Sequence, residues 1–209
     1  MAINQLIYVV DDYPAIAEVA KRYLLAAGGF EVRTFTSARD LLHDFVPNTV
    51  DCVVADLKMP GLDGGELHLE LAQQDPSLSF VFVTGFADVK TAVKLMEQGA
   101  FTLLEKPFSA EDLVVSVRRA VEQTSELRAK QSQREQAATL LSTLTEDERD
   151  VMECMVAGLP NKTIANKLAL SSRTVDRRRH AVLTKMQVSS VPELAALVAR
   201  LDLETPAAN

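Results

Sequence analysis

Five short runs of apolar, β-branched and aromatic residues recur through the first half of the chain: LIYVV (6–10), EVRTF (31–35), DCVVA (51–55), SFVFVT (79–84) and FTLLE (101–105). Each has the length of a strand, and the central ones lack polar alternation, which marks strands covered on both faces. Helical apolar spacing fills the intervals at about 14–27, 38–46, 64–74 and 88–98, and a fifth helix starts near Ser109. Ser37, Asp88 and Ser109 stand where N-caps belong. Strands alternating with helices leave few solutions. Parallel neighbours need helical crossovers, so the expected fold is α/β, a doubly wound five-stranded parallel sheet. Functional residues in such sheets gather at the carboxyl ends of the strands.

The rest of the 209-residue chain reads as helix throughout. The fifth helix has an apolar stripe at Leu113, Val117, Ala120 or Val121, and Leu127, then runs into TSELRAKQSQREQ (124–136). Gln, Arg, Glu and Lys favour a helical extension over a floppy tether there. Thr145 and Glu148 form a capping-box pattern before TEDERDVMECMVAG (145–158). Helical segments at 161–170, 171–188 and 191–201 follow, and ETPAAN closes the chain as an expected frayed tail. The organisation expected is a first domain over 1–123, a linker over 124–141 and a small all-α domain over 142–209.

Net charge is −7, which for the whole chain argues against nucleic acid. Its distribution says otherwise. Residues 1–124 hold 10 Lys+Arg against 18 Asp+Glu, whereas residues 161–185 hold seven basic residues against Asp176 alone. An acidic front and a locally basic back imply two jobs. No apolar run approaches the ~20 residues of a membrane span, and no basic segment leads into a long apolar stretch at the start, so a cytoplasmic protein without membrane contact is expected. Cys52 and Cys154 sit in apolar runs and are expected as reduced core residues.

The carboxylates at the strand ends suggest the chemistry. Asp11 and Asp12 follow the first strand and Asp56 the third. In a 2-1-3-4-5 strand order these three meet at the switch point. Clustered carboxylates repel unless a cation sits among them, and oxygen ligands on an open site suit Mg²⁺. Thr84 follows the fourth strand and Lys106 the fifth, supplying a hydroxyl and an ammonium for phosphoryl oxygens. VVDD (9–12), VVADLKMPGLDG (53–64), VTGFAD (83–88) and EKPF (105–108) resemble the signature stretches of a two-component receiver domain, a flavodoxin-like fold, over residues 3–123. The resemblance implies Asp56 as phosphoacceptor from a sensor histidine kinase. It implies Mg²⁺ held by Asp12, Asp56 and the Lys58 backbone carbonyl, with Asp11 acting through water. It also implies Thr84 as the switch hydroxyl, Lys106 as the phosphate-binding lysine and a cis Lys106–Pro107 bond.

One position departs from the family. Receivers usually carry Tyr or Phe three residues before the lysine, as a partner to the switch hydroxyl; here it is Leu103. Phe101, two residues earlier, is expected on the same face by strand alternation. Two readings stay open: Leu103 repacks without a ring, or coupling works chiefly through Thr84 and the 85–98 segment. Lys58 and Phe86 occupy positions where receivers tune acyl-phosphate lifetime.

The segment LTEDERDVMECMVAGLPNKTIANKLALSSRTVDRRRHAVLTKMQV (144–188) resembles the LuxR/FixJ-type helix-turn-helix domain. Two helices meeting around Ala169–Ser171 have the spacing of that motif, with Ile164, Ala165, Leu168, Val175, Val182, Leu183 and Met186 as the inward stripe. The resemblance puts Asp176, Arg177 and His180 nearest base edges, and Lys162, Arg173, Thr174, Arg178, Arg179 and Lys185 at phosphates. Leu194, Leu197, Val198 and Leu201 make a stripe on the last helix, as a dimer face or as closure of the helical core.

These readings combine into a response regulator. Phosphorylation of Asp56 dimerises the chain, releases a DNA-binding domain, or both, on promoter half-sites, with RNA polymerase as a further candidate partner. Apart from its own phosphotransfer and autodephosphorylation, no enzyme activity is expected. A Mg²⁺-dependent phosphatase of similar topology needs a second Asp two residues after the nucleophile, where this chain has Lys58. A receiver acting by protein contact alone is the other alternative.

Overall fold

The computed structural model describes residues 4–85, 89–97 and 99–202. The expected Asp88 cap, Phe86, the Leu201 side chain and the tail 203–209 lie outside the described residues. The chain divides into two compact units, Met1–Arg128 and Ala129–Asn209.

The first unit holds a five-stranded parallel sheet in the order β2-β1-β3-β4-β5. Its strands are β1 (Gln5–Val10), β2 (Phe30–Phe35), β3 (Cys52–Asp56), β4 (Ser79–Thr84) and β5 (Thr102–Glu105). The connecting helices are α1 (Pro14–Ala27), α2 (Ala38–Asp44), α3 (Gly64–Gln74) and α4 (Val89–Glu97), and α5 (Ala110–Ser142) follows β5. Side chains alternate along the pleat, so the sheet has two cores. Tyr8, Val10, Val53, Phe80 and Phe82 pack on one face with Leu41, Leu67 and Leu71. Ile7, Val9, Val54, Val81 and Val83 pack on the other with Leu24, Leu113 and Val117. The central strands are buried on both faces, as their uninterrupted apolar sequence requires. Ser37 Oγ accepts from Asp40 N and Ser109 Oγ from Asp112 N, fixing the starts of α2 and α5. Cys52 and Cys154 are free and buried, and burial pushes the Cys52 thiol pKa up.

α5 continues as one helix through the polar stretch. Its first half is tied to the strand starts. Thr124 Oγ1 accepts from Ser79 N, and Arg128 donates to the Val50 carbonyl at 2.7 Å and to Asp75 at 2.7 Å.

The second unit is helical: the end of α5, then α6 (Glu146–Val156), α7 (Asn161–Lys167), α8 (Ser172–Lys185) and α9 (Val191–Asp202). The Thr145–Glu148 capping box is formed at the start of α6. Ile164, Ala165, Val175, Val182 and Met186 are buried together, and Leu168 and Leu183 are partly buried against them. Leu140 and Leu141 of α5 join this core. Leu194 is fully buried in it, with Leu197 and Val198 packed alongside, so the α9 stripe closes the bundle. No helix among the described residues is long and apolar enough to cross a membrane.

Candidate phosphoacceptor site and nucleic-acid interface

Parallel register carries the expected residues to one edge of the sheet. Val10 lies opposite Ala55, Asp56 opposite Val83, and Thr84 opposite Glu105. Asp11, Asp56, Thr84 and Lys106 therefore end four adjacent strands. Asp11, Asp56 and Thr84 are buried and Asp12 is half-buried. One carboxylate oxygen from each of Asp11, Asp12 and Asp56 lies within 4.8 Å of the others. Lys106 Nζ lies 2.6 Å from Asp11 Oδ2 and 3.1 Å from Asp56 Oδ2. Burial raises the Asp56 pKa above the ordinary value, against the pull of Lys106, with Asp11 adding repulsion.

Backbone groups lock the arrangement. Asp11 Oδ1 accepts from Tyr13 N at 2.9 Å, Lys106 N donates to the Thr84 carbonyl at 2.7 Å, and the Lys106–Pro107 bond is cis. Asp12 Oδ1 is buried and has no hydrogen-bond partner. A buried, unpaired carboxylate oxygen beside two further carboxylates is the donor set a hard divalent cation takes. Gly64 completes the frame and was not singled out from sequence. It starts α3 against the backbone of Asp56, and a Cβ there would sit far inside contact distance of the Asp56 carbonyl oxygen. Asp63 and Glu66 form a capping box around it, a D-x-x-E pattern legible in the sequence.

Leu103 is partly buried on the face that holds Phe80 and Phe82, its register partner being Phe82. Phe101 is not on that face. It packs with Val81, Val83 and Leu113 on the opposite side, with the Arg119 guanidinium 5.8 Å from its ring centre. Strand alternation fails here because β5 begins at Thr102, so Phe101 precedes the pleat. The aromatic groups beside Leu103 come from elsewhere. His68 of α3 is buried, with its ring 4.6 Å from Phe80 and 5.9 Å from Phe82, both edge-on.

In the second unit α7 and α8 form a helix-turn-helix. Ala169, at φ 53°, ends α7, and Ser171 Oγ accepts from Thr174 N to start α8. Lys162, Arg173, Arg177 and His180 are exposed, Arg179 and Thr174 half-exposed. Ser171, Arg173, Thr174 and Arg177 line one hollow at the start of α8. Four expected contact residues hold partners inside the domain. The Thr174 hydroxyl shares a hydrogen bond with Ser171 Oγ at 2.8 Å. Asp176 accepts from Asn161 Nδ2 at 2.6 Å, Arg178 pairs with Asp147, and Lys185 Nζ lies 2.6 Å from Glu148 and 3.2 Å from the Thr143 carbonyl. Lys185 and the cap hold the Glu148 pKa below the usual carboxylate range.

The response regulator receiver domain model matches residues 7–118, and the model for bacterial regulatory proteins of the luxR family matches residues 142–198. The chain belongs to the two-component response regulators with a LuxR-type output domain. The regulator is 38% identical over 205 residues to the transcriptional regulatory protein FixJ of Azorhizobium caulinodans, covering 96% of this chain and 97% of that one. It is 37% identical to FixJ of Bradyrhizobium diazoefficiens over 93% of this chain and 94% of that one. Among solved structures, the response regulator StyR aligns at a TM-score of 0.82 and 34% identity, over 94% of this chain and 99% of that chain. Full-length FixJ from B. japonicum aligns at 0.55 and 36% identity, over 94% and 97%. The regulator is FixJ-like: a receiver joined to a DNA-binding domain that regulates transcription. Its receiver implies a sensor kinase as partner, and its LuxR-type domain implies DNA.

Proposed function

We propose that Asp56 accepts a phosphoryl group from a sensor histidine kinase and that this modification controls DNA binding by the second unit. The observation that carries the reading is the convergence of Asp11, Asp12, Asp56 and Lys106 at adjacent strand ends, with Asp12 Oδ1 unpaired. An Asp56 carboxylate oxygen attacks phosphorus. An O–P bond forms as the bond from phosphorus to the kinase imidazole nitrogen breaks. Lys106 pairs with Asp56, favouring its ionised form against the effect of burial, and then turns its ammonium to a phosphoryl oxygen. Thr84 supplies a hydroxyl to a second oxygen. Asp11, Asp12, Asp56 and the Lys58 carbonyl are the groups that would hold Mg²⁺, with Asp11 acting through water. When bound, the ion supplies charge neutralisation on the transferring group.

Phosphorylation adds roughly two negative charges to a buried position. Thr84 and Leu103 are the residues proposed to carry that change to the surface, where the regulator dimerises, frees its DNA-binding domain, or both. Arg177, His180 and Asp176 face base edges. Lys162, Arg173, Thr174 and Arg179 contact phosphates, while Arg178 and Lys185 exchange one anion for another on binding. Promoter half-sites are the target, RNA polymerase is a further partner, and the cytoplasm is the site of action.

The test is incubation with acetyl phosphate and Mg²⁺, borohydride trapping and peptide mass spectrometry. The expected result is a single modification at Asp56 that is absent from Asp56→Asn. Modification elsewhere, or none, overturns the reading.

A further inference from the structure

We propose that Asn161 is a positioning residue for base selection: it holds the Asp176 carboxylate in place, so the two act as one recognition unit. The inference rests on the reading that α8 enters the major groove.

Asn161 is the first residue of α7, one position after its N-cap Pro160, and the start of α7 has no side-chain cap bond. The Asn161 amide is spent across the motif instead, donating from Nδ2 to Asp176 Oδ1 at 2.6 Å. Asp176 is the one acidic residue on α8, among Arg173, Arg177, Arg178 and Arg179. It is exposed, and Asn161 is the partner it holds among the described residues.

A carboxylate on a helix that meets phosphates is repelled by them, and accepting from a base donor offsets that repulsion. In the major groove that donor is the amino group of cytosine. An ionised carboxylate has about four acceptor sites on two oxygens, so the bond from Asn161 leaves acceptor capacity for a base. The same bond removes side-chain freedom before DNA arrives, which sharpens selection. The donor stands on α7 and the acceptor on α8, so the geometry of the helix-turn-helix itself aims the carboxylate.

The experiment is selection from a randomised duplex library by the full chain loaded with beryllofluoride and Mg²⁺, followed by sequencing. Wild type, Asn161→Ala, Asp176→Ala and the double variant are compared. Thermal melting and binding to unselected duplex are measured alongside. The expected result is a cytosine preference at one position per half-site in wild type, lost in Asp176→Ala. Asn161→Ala reduces it at that same position by about two- to tenfold, as freeing one immobilised side chain would. Melting and unselected binding stay unchanged, and the double variant is no worse than Asp176→Ala. An Asn161→Ala pool identical to wild type overturns the proposal. So does a uniform loss of binding with lowered melting, the signature of a purely structural bond. An Asp176→Ala pool identical to wild type overturns it while leaving DNA reading intact. Failure of wild type to enrich any sequence counts against DNA reading itself.

Discussion

Gly64 shows how little freedom Asp56 has. Its Cα faces the Asp56 backbone so closely that an added methyl would meet the Asp56 carbonyl oxygen and lie 3.1 Å from Leu57 Cα, all backbone that cannot rotate aside. Gly64→Ala should therefore cost about 1–3 kcal/mol in urea unfolding and slow phosphorylation of Asp56, because the strand end must move. Unchanged stability would show that the contact relaxes at no cost. His68 sets a second residue-scale expectation. Burial lowers its pKa below the ordinary histidine value. The folded receiver then resists a proton that the unfolded chain accepts, so this stability is complete above about pH 6.5 and is lost as pH falls through the depressed folded value. Urea melts on both sides of that point should show the decline, and His68→Leu should flatten it. An equal slope in the variant would assign the decline to other groups.

At the level of elements, what could be read from the sequence followed from periodicity and caps. The central strands were legible because burial on both faces leaves uninterrupted apolar runs such as SFVFVT, and α2, α5 and α6 because Ser37, Ser109 and Thr145 announce their starts. Phe101 was misplaced because alternation was extended one residue beyond where the strand begins. The site carboxylates were legible as strand-end residues. The anchors of α5 were not, because Arg128 meets Val50, Asp51 and Asp75 through long-range bonds that leave no local pattern. The same limit applies to the basic helix. Its charge was visible, but the pairing of Arg178 with Asp147 and Lys185 with Glu148 was not. These pairs divide the seven basic residues by role. Neutralising a true phosphate contact flattens the dependence of log K on log salt by about 0.9. Lys162→Gln and Arg173→Gln should each approach that change in a salt titration, while Arg178→Gln and Lys185→Gln, which give up Asp147 and Glu148 to meet a phosphate, should change the slope much less. Equal slopes for all four variants would contradict the division.

The whole molecule joins a receiver to a LuxR-type DNA-binding domain, and the proposed function requires that chemistry at Asp56 alter affinity at α8. Coupling energies between sites are typically about 1–3 kcal/mol, or five- to 150-fold in affinity. Leu103 in place of an aromatic residue keeps an apolar side chain on the face that holds Phe80 and Phe82. Its register partner is Phe82, against which the His68 ring of α3 packs edge-on. The most direct test is fluorescence anisotropy on a duplex selected from a random pool, with Mg²⁺ alone and with Mg²⁺ plus beryllofluoride, for wild type and Asp56→Asn. The account predicts at least about fivefold tighter binding for activated wild type and no response in the variant. Equal affinity with and without beryllofluoride in wild type, or an equal response in Asp56→Asn, would contradict it.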